Sequence, residues 1–498
     1  MGPRRVDPLL QTGPDHAPPS DEARDILELP PSTESSHLRS VLILAHSWPP
    51  DAYVGAVRPV YLSRQLARLG WQPIVLTVKE QTYERINPAG IAGSDSALVV
   101  RTYCIKNPRH AYLWLKSFAS RIHFGRSRNA TANHENQART RREPSRAIFA
   151  LCRLKRTFLS LIHTPDEFLG WYPFALLGGI RLMLRFRPAC IISTAPPFTS
   201  HLVARMLKTL FNTPWIADFR DPWSWREGLP PEISSALSDR ISKVLEKGVI
   251  YHADRIVCVT PGTTERYRQM YPQVSADKWL TVTNGYDRDE FAGLCQSETP
   301  TKFTISYVGG FDFSRSPRLL LRSVSELIAE GLIDKSKLAV RFVGPCETAE
   351  GIPIVSMIDE YDLLEVVEIT GLVPRPEALK AICQAHLLLL LGGSQRLSIA
   401  AKVYEYLAAG TPILAIAQEG EIADLVRSVG AGYVVSPEDL TGAKYAIATR
   451  YGDCLSGRSN DVSAGPHRNG AAEAYSWDGL GLAYSEIIKQ CSILPPRG

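Results

Sequence analysis

Short apolar runs of strand length recur along this chain. Most are separated from the next by a helical pattern, and they come in two series. The first run is Val41-Leu42-Ile43-Leu44-Ala45. A continuous apolar run without alternation fits a parallel strand covered on both faces. A loop from Trp48 to Gly55 follows. Leu62, Leu66 and Leu69 then recur at i, i+4 and i+7, and Gly70 stands where a helix stop belongs. Pro73–Val78 is the next strand. Strand, loop, helix and strand within about forty residues make a βαβ unit.

The rhythm predicts further strands at Ala97–Thr102, Cys190–Thr194, Trp215–Phe219, Ile256–Thr260 and Leu280–Thr283. After a polar stretch around 296–302 a second series begins. Its strands are expected at Phe303–Val308, Leu338–Val343, Val366–Ile369, Leu387–Leu391, Ile413–Ile416 and Tyr433–Val435. Each series is long enough for a six- or seven-stranded sheet, so the expected class is α/β with two doubly wound domains. Length agrees, since 498 residues exceed the roughly 250–300 at which a single core stops growing. The expected division is a disordered acidic tail at 1–38, a first domain at 39–295, a second at 296–475, and a crossover helix with its tail at 476–498. That helix is read at Trp477 to Gln490.

Between 101 and 160 the rhythm breaks. Fourteen Lys and Arg residues face only Glu135 and Glu143 there, a segment charge of +12 in a chain of net +5. The rest is therefore acidic. Apolar and aromatic residues interleave with the cations (Tyr112 to Phe118, then Ile148 to Leu159). That mixture suits either an anionic membrane surface or a solvated insertion with a partly buried edge. No helix-turn-helix or other recognisable reader accompanies it, so nucleic acid is not an expected partner. The nine cysteines include no CxxC, which indicates neither a zinc site nor a disulfide framework. Arg4 and Arg5 lack a following apolar core, so no secretory signal is read. The longest apolar stretch, Phe168 to Leu184, is broken by Pro173, Gly178, Gly179 and Arg181 and reads as a buried or interfacial helix. A cytoplasmic protein, peripheral on the inner face of a membrane, is the expectation.

In open α/β sheets ligands bind beyond the carboxyl ends of the strands. Three such loops draw notice. The turn after the first strand carries Gly55 and Arg58, either a phosphate approach or only a turn. After the first strand of the second domain come Gly309-Gly310-Phe311-Asp312-Phe313-Ser314-Arg315, followed by Ser316 and Pro317, a candidate anion cradle. The third runs from Leu391 through Gly392, Gly393 and Leu397 to a short helix expected near Ser398. Amides of Ser398, Ile399, Ala400 and Ala401 could hold a diphosphate. Glu405, two turns in, could accept from both ribose hydroxyls or be a surface residue beside Lys402.

The run Lys402-Val403-Tyr404-Glu405-Tyr406-Leu407-Ala408-Ala409-Gly410-Thr411-Pro412 resembles the donor-site helix of family 4 glycosyltransferases with the GT-B fold, two Rossmann-like domains facing across a cleft. Trp48-Pro49-Pro50 with Gly55 and Arg58, Ala253–Thr260, Asn284-Gly285-Tyr286-Asp287, Tyr307–Gly310 and Ser476-Trp477 follow in the family's order over roughly 40–490. Ala217–Trp223 is similar to a motif of the subset acting on bacterial surface polysaccharides.

The resemblance implies transfer of a sugar from a nucleotide donor to a saccharide or polyprenyl-linked acceptor. Retention of configuration and no metal or other cofactor are implied with it. Glu405 would bind ribose. Arg315 and Lys402 would meet the diphosphate with the amides of 398–401, and Gly309 and Gly310 would line that cradle. Gly55, with Arg58, would approach from domain one. Leu372 and Val373 would flank the base. Asp218 and His46 are candidates to contact acceptor or sugar. Charge stabilisation falls to Arg315, Arg58, Lys402 and helix amides, with the leaving phosphate able to take the acceptor proton.

The family often has a Glu eight residues before Glu405. Here that residue is Leu397, and Gln395, Arg396 or Ser398 are the substitutes to consider. The usual Arg after Gly309 is Gly310, and no His stands near Thr194. A nucleotide-sugar epimerase of the same architecture and a non-catalytic adaptor at the membrane are the alternatives.

Overall fold

The structure is a computed structural model that describes residues 39–86, 91, 94–105, 157–225, 235–292, 294, 300–393, 395–457 and 472–493. The expected tail at 1–38, the boundary at 295/296 and all but the ends of the basic segment at 105–160 lie outside them.

Seven parallel strands form the first sheet: β1 (Ser40–Leu44), β2 (Gln72–Val78), β3 (Leu98–Thr102), β4 (Cys190–Ala195), β5 (Trp215–Phe219), β6 (Arg255–Cys258) and β7 (Trp279–Thr281). Their order is β3-β2-β1-β4-β5-β6-β7, so the winding reverses between β1 and β4. The second sheet contains β8 (Phe303–Val308), β9 (Leu338–Val343), β12 (Val367–Gly371), β13 (Leu387–Leu391), β14 (Ile413–Ile416) and β15 (Gly432–Val435). It runs β12-β9-β8-β13-β14-β15 and reverses between β8 and β13. All neighbours in both sheets are parallel. A short antiparallel hairpin, β10 (Thr348–Ala349) with β11 (Ile352–Pro353), was not foreseen from the sequence. The five leucines of β13 are each at most 1% exposed, as a strand covered on both faces requires. At about 1.5–3 kcal/mol per buried leucine, this strand is a large part of what holds the second domain together.

The crossover helix spans Trp477–Ile493. Trp477, Leu480, Tyr484, Ile487 and Ile488 pack in the core of the first sheet with Val41, Ile43 and Tyr61. Tyr61 stacks on Trp477 at 5.7 Å, and the Trp71 indole N–H donates to Ser485. The two passages between the domains also touch. The amide of Tyr286 donates to Tyr475 and the amide of Trp477 to Tyr286. The apolar stretch after Phe168 forms the helix Tyr172–Phe186, with Gly178, Gly179 and Leu182 buried and Leu177 and Leu184 exposed. Among the described residues no helix is long and apolar enough to cross a membrane. Cys383 is disulfide-bonded, and six other described cysteines are free.

Candidate functional site

Strands β8 and β13 flank the reversal in the second sheet, and the residues that follow them, Gly309 and Gly392, open the rim where a ligand would sit. Gly309 has φ +132°, and a side chain there would meet Lys402 Nζ at 2.6 Å. Glycine therefore provides both the backbone shape and the space for the lysine. Lys402 begins the helix Lys402–Ala409, and its ammonium lies 3.8 Å from the centroid of the Tyr307 ring. Burial, and then the neighbouring Arg315 cation, lower its pKa to about 7. Arg315 pairs with Asp312 at 3.3 Å, while its Nε is buried without a hydrogen-bond partner. Its guanidinium passes over Gly393, whose missing side chain would lie 3.6 Å from Nε. A buried ammonium held down by burial and a neighbouring guanidinium at a strand rim favours an anion beside it.

Gly310 has a more local part. Its carbonyl accepts from the Tyr307 hydroxyl at 2.7 Å, and a side chain there would meet Pro345 at 3.2 Å. The helix expected near Ser398 starts four residues later. Ser398 donates instead to Gln395, and the first helical contacts are Val403 to Ala400 and Tyr404 to Ala401. Ser398, Ile399, Ala400 and Ala401 therefore form an irregular approach to the helix, and the dipole argument moves to Lys402. Glu405 lies on that helix and pairs with Arg375 Nη2 at 3.0 Å. Leu372 is 76% exposed, and Val373 is partly buried; both lie on the loop leading to Arg375.

At the rim of the first sheet Arg58 and Asp218 are spent on each other. Arg58 is 3% exposed. Its Nε and Nη2 bond both oxygens of Asp218, with Nη2 to Oδ1 at 2.9 Å. Nη1 donates to the Thr283 carbonyl and Asn284 Oδ1, and Nη2 also reaches Val282 O and Tyr484 Oη. Every guanidinium proton has a partner, so the expected phosphate contact is corrected: Arg58 ties the sheet to the passage between domains and to the crossover helix. Asp218 is corrected likewise. It is fully buried and accepts from Thr194 and Tyr484 at 2.7 Å each. Burial pushes its carboxyl up, but Arg58, Thr194 and Tyr484 outweigh that and hold it below the usual range.

His46 is 4% exposed and lies 4.1 Å from Phe168, centroid to centroid. Burial, then Arg220, lowers its pKa to about 3, so the imidazole is neutral in the fold, and its Nε2 is buried without a hydrogen-bond partner. Gly55 is crowded too. A side chain would meet Tyr53 at 2.7 Å and Arg220 Nη1 at 3.0 Å, and Arg220 donates to the carbonyls of Gly55 and Pro196.

The rims of the two sheets meet beyond β6. Thr260 and Thr263 donate their hydroxyls to the Leu397 carbonyl at 2.8 and 3.2 Å, and the Gly262 amide donates to Glu421. Leu397, where the family often has a carboxylate, thus uses its backbone to join the domains. Sequence reasoning missed Arg375, Tyr484 and Glu421 at these positions. Only Thr260, a helix N-cap before Pro261, carries a local signal.

The profile described as "Glycosyl transferase 4-like domain" matches residues 55–285, and "Glycosyl transferases group 1" matches 302–453. The two together span most of the chain. Sucrose-phosphate synthase from Thermosynechococcus elongatus is similar in structure at a TM-score of 0.59 and 16% identity, over 91% of this chain and 98% of that one. HepE of Anabaena in complex with UDP gives 0.52 and 12% over 91% and 100%. WaaG, a glycosyltransferase involved in lipopolysaccharide biosynthesis, gives 0.52 and 12% over 90% and 99%. No curated protein matches the sequence. The fold is GT-B, with two Rossmann-like domains. The chain belongs to the family 4 glycosyltransferases.

Proposed function

We propose that this glycosyltransferase takes its sugar from a nucleotide-diphosphate donor and passes it, with retention, to a saccharide or polyprenyl-linked acceptor in polysaccharide or glycoconjugate biosynthesis. The observation that carries the reading is the pair of cations at the second rim, Lys402 facing an aromatic ring and Arg315 with an orphaned Nε. A diphosphate between them would relieve their mutual repulsion and gain two charge-assisted contacts. HepE, described in complex with UDP and with UDP-glucose, supports that donor class. Glu405, on the same helix, faces a ribose in this reading. As the bond to the sugar breaks, negative charge grows on the leaving phosphate, and preplaced cations stabilise it. The leaving phosphate accepts the proton of the incoming hydroxyl, so no buried carboxylate or imidazole of domain one is required. The reading calls on no metal or other cofactor. It places the protein in the cytoplasm, peripheral to the membrane where a lipid-linked acceptor resides.

A thermal-shift panel of nucleotide sugars tests the donor, because a ligand of the folded state raises the melting temperature by mass action. One nucleotide sugar and its nucleoside diphosphate should both stabilise the chain. A flat panel at millimolar ligand would remove the donor reading.

A further inference from the structure

Arg375 joins more of the molecule than any ribose contact needs. Its Nε lies 2.9 and 3.0 Å from the two carboxylate oxygens of Glu290, and Nη2 lies 2.6 Å from Glu290 Oε2. Nη2 also reaches Glu405 Oε1 at 3.0 Å and the Tyr61 hydroxyl at 3.2 Å. Glu290 belongs to the helix Arg288–Phe291, on the passage between the sheets. Tyr61 belongs to the first-domain helix Val57–Arg68 and stacks on Trp477 of the crossover helix. The side chains of Arg375, Glu290 and Glu405 are 29%, 12% and 18% exposed, dry enough for these pairs to count.

Nη2 has two protons, and its hydrogen bonds go to Glu290 Oε2 and the Tyr61 hydroxyl; Glu405 Oε1, 3.0 Å away, is a charge contact that competes for them. Glu290 is gripped through two guanidinium nitrogens, the stronger fork geometry, and Glu405 through one oxygen only. The hold on Glu405 is therefore the one that changes most readily. With Oε1 on Arg375, the second oxygen of Glu405 is the one left for a ligand hydroxyl.

We propose that Arg375 is a positioning residue: it orients Glu405 toward the ribose of the donor and links that carboxylate, through Glu290 and Tyr61, to the passage that sets the angle between the domains. This rests on the nucleotide-donor reading above. A ribose that draws on Glu405 changes its share of Nη2, and the share available to Glu290 and Tyr61 changes with it. Donor occupancy is thereby coupled to domain closure, and the coupling is reciprocal.

The test measures calorimetric affinities of the full chain for UDP, GDP, ADP and CDP and for their 2′-deoxy counterparts. Small-angle scattering is recorded with and without the tightest binder. Wild type should prefer one ribonucleoside diphosphate over its deoxy form by about tenfold, the scale of one charge-assisted hydrogen bond. Glu405→Gln should lose that preference. Arg375→Lys, which keeps the charge but not the fork, should lose most of it while retaining affinity for the deoxy form. A merely structural arginine would instead weaken both ligands equally. Glu290→Gln leaves the Arg375–Glu405 pair in place, so it should keep the ribose preference and lose the ligand-induced change in radius of gyration. This second variant keeps the proposal open to refutation if Arg375→Lys folds poorly. Retention of the full ribose preference by Arg375→Lys, or of wild-type closure by Glu290→Gln, overturns it. Absence of binding by any nucleoside diphosphate to wild type would instead overturn the donor reading.

Discussion

The two sheets share a winding plan, yet their rims use charge in opposite ways. In the first domain Arg58 and Asp218 are sealed together, with Thr194, Tyr484 and three consecutive linker residues taking the remaining hydrogen bonds. In the second, Lys402 rests on Tyr307, and Arg315 keeps a buried Nε unpaired. A satisfied buried ion pair fixes geometry and offers nothing to a ligand. Crowded cations without full pairing cost stability and are repaid when an anion arrives. The first rim is thus a joint to the linker and the crossover helix, and the second is where the proposed donor would place its phosphate.

The largest effect should come from breaking the joint. Asp218→Ala strands a buried guanidinium and is expected to cost ~3–5 kcal/mol, read as a lower denaturant midpoint. A variant with near wild-type stability would show that the first rim is not a joint. At the second rim, Lys402→Met should weaken nucleoside diphosphate binding about tenfold or more without lowering the melting temperature at pH 7.

The sign follows from linkage. With a folded pKa of about 7 against an ordinary 10.5, the unfolded chain holds more protons between those values. Lys402 therefore penalises folding fully below pH 7, and the penalty is relieved as pH rises from about 7 toward 10.5. A bound diphosphate would raise that pKa, so binding near pH 8 should take up a proton. The calorimetric enthalpy should then vary with the ionisation enthalpy of the buffer in wild type and not in Lys402→Met. A buffer-independent enthalpy in wild type would separate Lys402 from the anion.

The smallest effect concerns His46 and His201, both held near pKa 3 by burial first and with Arg220 adding to it. Each stays neutral in the fold, so stability is lost as pH falls from about 6.5 toward 3. At pH 6, replacing His46 by Asn should recover under 1 kcal/mol of the wild-type acid loss. An unchanged stability-against-pH slope would place His46 in solvent rather than in the core.

Much of this molecule is legible in its sequence. All thirteen strands of the two sheets were expected where they occur, five of them with identical ends: Trp215–Phe219, Phe303–Val308, Leu338–Val343, Leu387–Leu391 and Ile413–Ile416. Apolar periodicity is written locally, because a strand buried on both faces must be apolar throughout. The glycine-rich turns after β8 and β13 and the cations Arg315 and Lys402 were legible for the same reason: each lies a few residues from its strand.

Partnership was not legible. Arg58 and Asp218 are 160 positions apart, and Tyr484 is 266 beyond Asp218. Nothing near Arg58 in the chain distinguishes a phosphate ligand from a buried hinge pin. His46 stands two residues beyond its strand, where a functional residue would, and only the fold packs it against the ring of Phe168 and away from solvent. The sequence by itself determined two parallel sheets and the chemistry available at their rims, since both depend on neighbours in the chain. Which charges were spent on holding the domains together, and which were left for a ligand, was decided by the tertiary structure alone. Desolvation and counterion pairing arise only when distant segments meet.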